Sequence, residues 1–370
     1  MSGRGWPLAL VPRDAPSRWL AWCSPLIALA LTVLSAMALF AALGKSPLAA
    51  VEIFFVEPLR SVRGVSEVAL KATPLILCAV GCALCFRANV WNIGAEGQLI
   101  VGAVAGGAVA LLATRESGGA IVFAVLAAAI AGGAFWAAIT AFLRDRFHAN
   151  EILVSLMLVY VAQLGLSYVV HGPLRDPAGF GFPHSALFDP AARLPILVEG
   201  TRLNAGFLIA LALALAAWVL LARGLIGFQL KVAGLAPMAA RYAGYSQRRL
   251  LWFALLVCGA LAGLAGAIEV AGPLGQLTPS VSPGYGFAAI IVAFVGRLHP
   301  AGIVASSLVM ALLYIGGELA QSRLGLPAAI TGIYQGLLLF FLLACDAFIV
   351  YRWRWRWRAR ATPAGGLGTT

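Results

Sequence analysis

Between two apolar runs of this chain lies Phe86-Arg87-Ala88-Asn89-Val90-Trp91-Asn92-Ile93-Gly94-Ala95-Glu96-Gly97-Gln98. Asn92, Glu96 and Gln98 place two amides and a carboxylate where the flanking sequence is hydrocarbon. An ionisable group in such a place marks, by default, a site or a path. Gly94 and Gly97 let a helix break there. The backbone groups so freed must then face protein or a water-filled cavity. Phe86 and Trp91 add ring faces. Hydrogen bonding plus stacking suits a sugar that carries a flat base. Phe86, Trp91, Asn92, Glu96 and Gln98 are therefore the expected substrate path. The alternative is a polar loop in which Glu96 pairs with Arg87.

A second constellation, Gly234-Leu235-Ala236-Pro237-Met238-Ala239-Ala240-Arg241-Tyr242-Ala243-Gly244-Tyr245, has the shape of a docking element. Pro237 suits a helix start and Gly244 a helix end. Small residues such as Ala239 and Ala240, next to Arg241, let a short helix enter a groove on a partner. The bland alternative is a helix lying on the membrane surface.

Enzyme motifs fail. Gly44-Lys45-Ser46 resembles the end of a phosphate-binding loop, but the glycine required five positions earlier is Leu39, and the segment follows an apolar run instead of a strand. His148, His171, His184 and His299 are scattered over connections. Cys78, Cys82 and Cys85 share one helix face but have no histidine or carboxylate near them, so they read as small apolar residues. No catalytic residue, metal site or cofactor is expected.

These groups are held by a chain of 370 residues that is 62% hydrophobic and only 11% charged, with a mean hydropathy of +0.93. Soluble domains carry about 25% charged residues, so this chain cannot cover a water-facing surface. A helix needs about 20 residues to cross the hydrocarbon core. Apolar runs occur at 19–43, 65–86, 99–113, 120–143, 152–170, 205–222, 250–271, 286–296, 301–319 and 327–350. The expected fold is an all-α polytopic membrane protein of about ten transmembrane helices, interrupted near 87–98 and 284–297. A full run followed by a short, glycine-broken one recurs near 65–113 and 250–296, which suggests two weakly related halves with a substrate path between them. Gly102 with Gly106, Gly259 with Gly263 and Gly332 with Gly336 have the spacing of close helix packing.

With the N-terminus inside, seventeen of the 26 Lys and Arg fall on inner segments: Arg4, Arg13, Arg18, Arg87, Arg144, Arg146, Arg223, Lys231, Arg241, Arg248, Arg249, Arg297, Arg352, Arg354, Arg356, Arg358 and Arg360. That excess follows the positive-inside rule. It accounts for the formal charge of +12 without nucleic acid. Residues 1–18 are then a cytoplasmic tail, 19–350 the membrane domain, 171–203 an external loop containing five prolines, 223–249 an inner loop and 351–370 a basic inner tail. Trp353, Trp355 and Trp357 would anchor that tail at headgroup level.

Phe86-Arg87, Trp91 through Gln98, Asn150-Glu151-Ile152, Gly234 through Gly244, Gly284-Tyr285-Gly286-Phe287-Ala288-Ala289-Ile290 and Gly296-Arg297-Leu298-His299-Pro300 occur in that order. Over residues 65–345 this pattern resembles the nucleoside-type permease subunits of bacterial ABC importers, in the group that also serves ribose-like sugars and branched-chain amino acids. Val90-Trp91 and Tyr160 depart from the common pattern. The resemblance implies a translocation path for a nucleoside in the inner (plasma) membrane, with ribose-like sugars as the alternative. It implies a separate ATPase subunit, a second homologous permease and an extracytoplasmic substrate-binding (lipo)protein. Gly234, Ala239, Ala240, Arg241 and Gly244 would couple to the ATPase. A stand-alone secondary transporter is the competing class. It needs membrane carboxylates for ion coupling, and Glu96 is the firm candidate.

Overall fold

A computed structural model of the chain describes residues 8–12, 18–114, 118–327 and 329–355. Arg4, Arg13, Arg356, Trp357, Arg358 and Arg360, and with them much of the expected basic anchor, lie outside the described residues.

Thirteen α-helices are described: α1 (Arg18–Ala42), α2 (Pro47–Val51), α3 (Val62–Arg87), α4 (Ala95–Ala110), α5 (Ile121–Phe147), α6 (Glu151–His171), α7 (Gly206–Arg223), α8 (Leu225–Leu235), α9 (Pro237–Tyr242), α10 (Gln247–Glu269), α11 (Tyr285–Val295), α12 (Pro300–Leu324) and α13 (Ala329–Val350). Eight of them are long and apolar enough to cross a membrane. The third and eighth apolar runs form the shorter helices α4 and α11. The segment near 284–297 is itself a continuous short helix, and its breaks lie on either side, at 275–284 and 296–299.

The chain forms two compact units. One holds residues 1–36 and 336–370. In it β1 (Leu8–Pro12) pairs antiparallel with β2 (Tyr351–Trp355), and the Ser24 hydroxyl donates to Asp346 at 2.8 Å. The other unit, residues 37–335, holds the site.

Local sequence explains where the helices of this second unit start. Ser61, Asn150 and Ser246 accept hydrogen bonds from first-turn amides of α3, α6 and α10, which satisfies donors with no partner inside the helix. Helix α3 is apolar on nearly every face and is buried from Ser66 to Phe86 except at Glu67 and Lys71. Such a helix belongs at the centre of a bundle. α10, α11 and α12 pack on it, while α4 lies against α5 and α10. Helices α5, α6 and α7 keep large residues such as Phe135, Leu164 and Leu215 exposed, as outer helices of a membrane bundle do.

Glycine sets the spacing of α4, α5 and α10. A side chain on Gly102 would collide with the backbone of Gly263, and one on Gly263 with the carbonyl of Ala129. Gly133 and Gly259 exclude each other's side chains in the same way. The Gly102–Gly106 and Gly259–Gly263 pairs therefore sit in a close seam. Gly332 and Gly336 do not, because open space surrounds both.

The connection after α6 is folded down over the break that follows α10. Ser185 and Leu277 exchange hydrogen bonds (3.0 and 2.9 Å), Phe188 N–H donates to Gly275, and Leu194 N–H donates to Ala271. Prolines keep this connection out of helix. Its backbone instead satisfies groups that the break at 270–277 releases.

Candidate functional site

Asn89 adopts a left-handed φ of 56° just past the end of α3, and α4 does not begin until Ala95. The break is closed from within. Asn92 Nδ2 donates to Gln98 Oε1 at 3.0 Å, and Gln98 Nε2 donates back to Asn92 Oδ1 at 3.2 Å. Asn92 Oδ1 also accepts from Gly94 N–H, and its amide donates to the Cys258 sulfur at 3.2 Å. Asn92, Glu96 and Gln98 are all buried. A reciprocal amide pair satisfies polar groups that would each be costly unpaired in hydrocarbon.

Glu96 does not pair with Arg87. Its carboxylate accepts the Gly286 N–H at 2.6 Å, with the Ser282 hydroxyl and the Gly284 amide as further partners. These groups lie at and just before the first turn of α11, where helix amides lack internal acceptors and the helix dipole favours negative charge. A side chain on Gly286 would collide with the Glu96 backbone, so only glycine permits this approach. Glu96 thus ties the start of α4 to the start of α11 across 190 residues of sequence.

Phe86 and Trp91 are brought together and gain a third ring. Phe86 stacks on Phe294 (5.2 Å, 17°), and Trp91 lies over the same ring (6.1 Å, 25°). Trp91 is 38% exposed and forms the open face of the stack. The end of α3 is also a junction. Arg87 Nε donates to Leu298 O at 3.1 Å, Trp91 N–H donates to Glu151, and Glu151 pairs closely with Arg144. A cleft of about 710 Å³ runs here between Asn89, Arg144, Glu151, Pro237 and Arg248.

The segment 234–245 forms the expected short helix, α9. Gly244 follows it at φ 78°, and Tyr245 N–H reaches back to Ala240 O, an arrangement that a glycine in the left-handed region permits. Of the two alanines expected at the docking face, Ala239 points outward and Ala240 does not. Ala240 is fully buried against its own chain, while Leu235, Met238 and Tyr242 (89%) are exposed with Ala239 and Arg241. Gly234 also faces inward, since a side chain there would strike the Arg87 carbonyl. This contact seats α8 directly on the end of α3.

One cluster is absent from the sequence reading. Glu67 and Lys71 stand one turn apart on α3, Glu269 ends α10, Tyr285 begins α11, and Tyr314 and Glu318 stand one turn apart on α12. Lys71 Nζ lies 3.5 Å from Glu318 and 5.6 Å from the centre of the Tyr285 ring. Tyr314 meets that ring edge-on at 5.7 Å. Glu67 holds Arg202 through two hydrogen bonds of 2.7 and 3.0 Å. Glu269 is buried, within electrostatic reach of both cations and both other carboxylates. Glu96 is therefore not the sole membrane carboxylate. The overlooked signal was a Glu inside the 250–271 run together with a Lys inside the 65–86 run.

Cys78, Cys82, Cys85 and Cys258 are buried where α3 meets α10, and the Cys85 thiol donates to Ala254 O. Among the described residues no group of three His, Cys, Asp or Glu is placed to hold a metal.

Comparison with known proteins gives the same outline. The chain is similar to the glucose ABC transporter permease protein TsgB13 of Haloferax volcanii, 39% identical with 93% of each chain covered. The guanosine ABC transporter permease protein NupP of Bacillus subtilis is 31% identical, with 75% of this chain and 80% of that one covered. The nucleoside ABC transporter permease protein NupB of Lactococcus lactis is 27% identical, with 86% and 89% covered. No solved structure matches the chain. Residues 64–343 match the family described as branched-chain amino acid transport system / permease component. With eight span-length helices among its described residues, the chain belongs to that family: it is a polytopic membrane permease subunit of an ABC transporter, and not itself an enzyme.

Proposed function

We propose that this permease, paired with a second permease of its kind, forms the path by which an ABC importer passes a nucleoside across the cytoplasmic membrane. A separate ATPase subunit supplies the energy and an extracytoplasmic binding protein delivers the substrate. The observation that carries the substrate reading is the Phe86–Phe294–Trp91 stack, whose open Trp91 face suits a planar base. Asn92, Glu96 and Gln98 serve the path by holding its walls. A sugar substrate is the second reading, favoured by the 39% identity to a glucose permease over nearly the whole chain. Uptake of labelled guanosine by cells expressing the complete transporter separates the two. Unlabelled nucleosides compete and glucose does not. Uptake of labelled glucose by the same cells with none of labelled guanosine favours the sugar.

The orientation follows from charge. Arg144, Arg146, Arg223, Lys231, Arg241, Arg248 and Arg249 lie in or beside the α5–α6 turn and the α7–α10 segment, where Asp145 and Glu151 are the acidic residues. The connection after α6 and its neighbours mix Arg175, Arg193 and Arg202 with Glu67, Asp176, Asp189 and Glu199. The basic side is the cytoplasmic one. Both termini are then cytoplasmic and 171–203 is external. A reporter fused after Arg360 that is active only outside the membrane overturns this.

On that side the end of α8 and α9 meet the ATPase with Leu235, Met238, Ala239, Arg241 and Tyr242. Their movement passes through Gly234 to the Arg87 carbonyl, hence to the break at 88–94. Gly244→Trp forces a side chain into the left-handed region, at about 1–2 kcal/mol, and projects an indole from open space at the docking face. Insertion persists, while uptake and substrate-stimulated ATP hydrolysis both fall about tenfold or more. Arg241→Ala changes uptake less, because an exposed ion pair contributes about 0–1 kcal/mol. Normal transport by Gly244→Trp removes this segment from the coupling route.

A further inference from the structure

The cluster of Lys71, Glu269, Tyr285 and Glu318 brings α3, α10, α11 and α12 together but leaves hydrogen-bonding capacity unused. Its groups are poorly matched to one another. Lys71 stands 3.5 Å from Glu318, looser than a charge-assisted hydrogen bond. Glu269 is buried, and its carboxylate feels the fields of Lys71 and Arg202 against those of Glu318 and Glu67. The Tyr285 hydroxyl is buried and without a hydrogen-bond partner, although Glu269 and Glu318 are near enough to act on it electrostatically. Leaving such a group unpaired costs about 1–3 kcal/mol, and unpaired buried groups of this kind point to a visitor that the site is built to receive.

We infer that Lys71, Glu269, Tyr285 and Glu318 form a binding station in the permease that recognises the hydroxyl groups of a neutral sugar, whether free or as the ribose of a nucleoside. This rests on the transport reading above and holds for either substrate named there. A vicinal diol supplies what the cluster lacks. Each hydroxyl donates one proton and accepts others, so one can bridge the Lys71 ammonium and the Glu269 carboxylate while its neighbour meets the Tyr285 hydroxyl. Charge argues for neutrality. Each cation already faces a carboxylate, Lys71 with Glu318 and Arg202 with Glu67, so none is left over to hold a phosphate or carboxylate ligand. Access is present too, since the Glu318 side chain is 60% exposed at the edge of the cluster. Lys71 and Phe86 are 15 residues apart on α3, about 22 Å along the helix. The station and the ring stack are thus separate stops on one helix. Glu96 acts on the station at one remove, because it anchors the turn of α11 that carries Tyr285.

The test uses the assembled transporter in proteoliposomes, with the binding protein present. With whichever of guanosine or glucose the parent takes up, Tyr285→Phe lowers kcat/KM about 3–10-fold and Glu269→Gln about 10–100-fold. Deoxy analogues of that substrate lose less on the variants than on the parent. A purely structural cluster predicts equal losses for parent substrate and deoxy analogue, and that result overturns the inference, as does parental kcat/KM in both variants. A second arm needs no transported substrate. In Tyr285→Cys a small water-soluble thiol reagent adds labelling beyond that of the parent, and trapping the ATPase with vanadate changes its rate. No added labelling in either state overturns the station. Failure of the parent to take up any nucleoside or sugar overturns the transport reading while this labelling result stands by itself.

Discussion

Glu96→Gln lowers substrate uptake about 10–100-fold, while the subunit still inserts and still assembles with its ATPase. The carboxylate is the acceptor for the first turn of α11, at 2.6 Å from the Gly286 nitrogen. Hydrogen bonds to a charged group contribute about 1.5–3 kcal/mol, and about 1.4 kcal/mol is a factor of ten in rate. Glutamine keeps one carbonyl but loses the charge that the helix start favours, and it turns an NH₂ toward amides that are themselves donors. The loss falls on the position of α11, and so on Tyr285, instead of on the seam between α4, α5 and α10. Melting temperature therefore moves little compared with uptake. Parental uptake by Glu96→Gln would show that the bridge between α4 and α11 has no part in transport.

A single methyl group at Gly263 is expected to have the largest effect on stability. In Gly263→Ala the new carbon has no room, because the Ala129 carbonyl and the Gly133 backbone already occupy it. Backbone atoms cannot rotate away as a side chain does, so α5 and α10 must separate. Overpacking of this kind costs about 1–3 kcal/mol or more, and the separation also loosens α4 through Gly102. The purified permease melts several degrees lower and uptake is largely lost. Gly332→Ala is the contrast. Open space surrounds Gly332 within α13, and alanine is favoured over glycine in a helix interior by about 1 kcal/mol. Its melting temperature stays level or rises. If the two substitutions behave alike, the seam is not what sets the helix spacing.

These two glycines show where sequence stops being informative. Gly259–Gly263 and Gly332–Gly336 have the same spacing, and spacing says only which residues share a helix face. What that face meets depends on residues more than a hundred positions away. Helix identity in the apolar runs, in contrast, was legible, although α2 and α8 lie in segments read as connections. An apolar run in hydrocarbon has to satisfy its backbone within itself, so the ten runs became helices with ends shifted by a few residues, eight of them of spanning length. The break after Arg87 and the turn at Gly244 were legible for the same local reason: each depends on residues a few positions apart.

The roles of the polar residues were decided only in three dimensions. Glu96 and Gln98 lie two positions apart, yet Gln98 turns to Asn92 and Glu96 to the start of α11. Ala239 and Ala240 are neighbours, yet one is exposed and the other buried, because a six-residue helix has one face against its own chain. Phe294 completes the stack with Phe86 and Trp91 from more than two hundred positions away. Lys71, Glu269, Tyr285 and Glu318 come from four helices and share no sequence pattern. Short-range chemistry is written in composition and spacing, since backbone hydrogen bonds and caps act within one or two turns. Which buried donor finds which acceptor depends on how the helices cross, and that is set by packing between segments that sequence distance does not order.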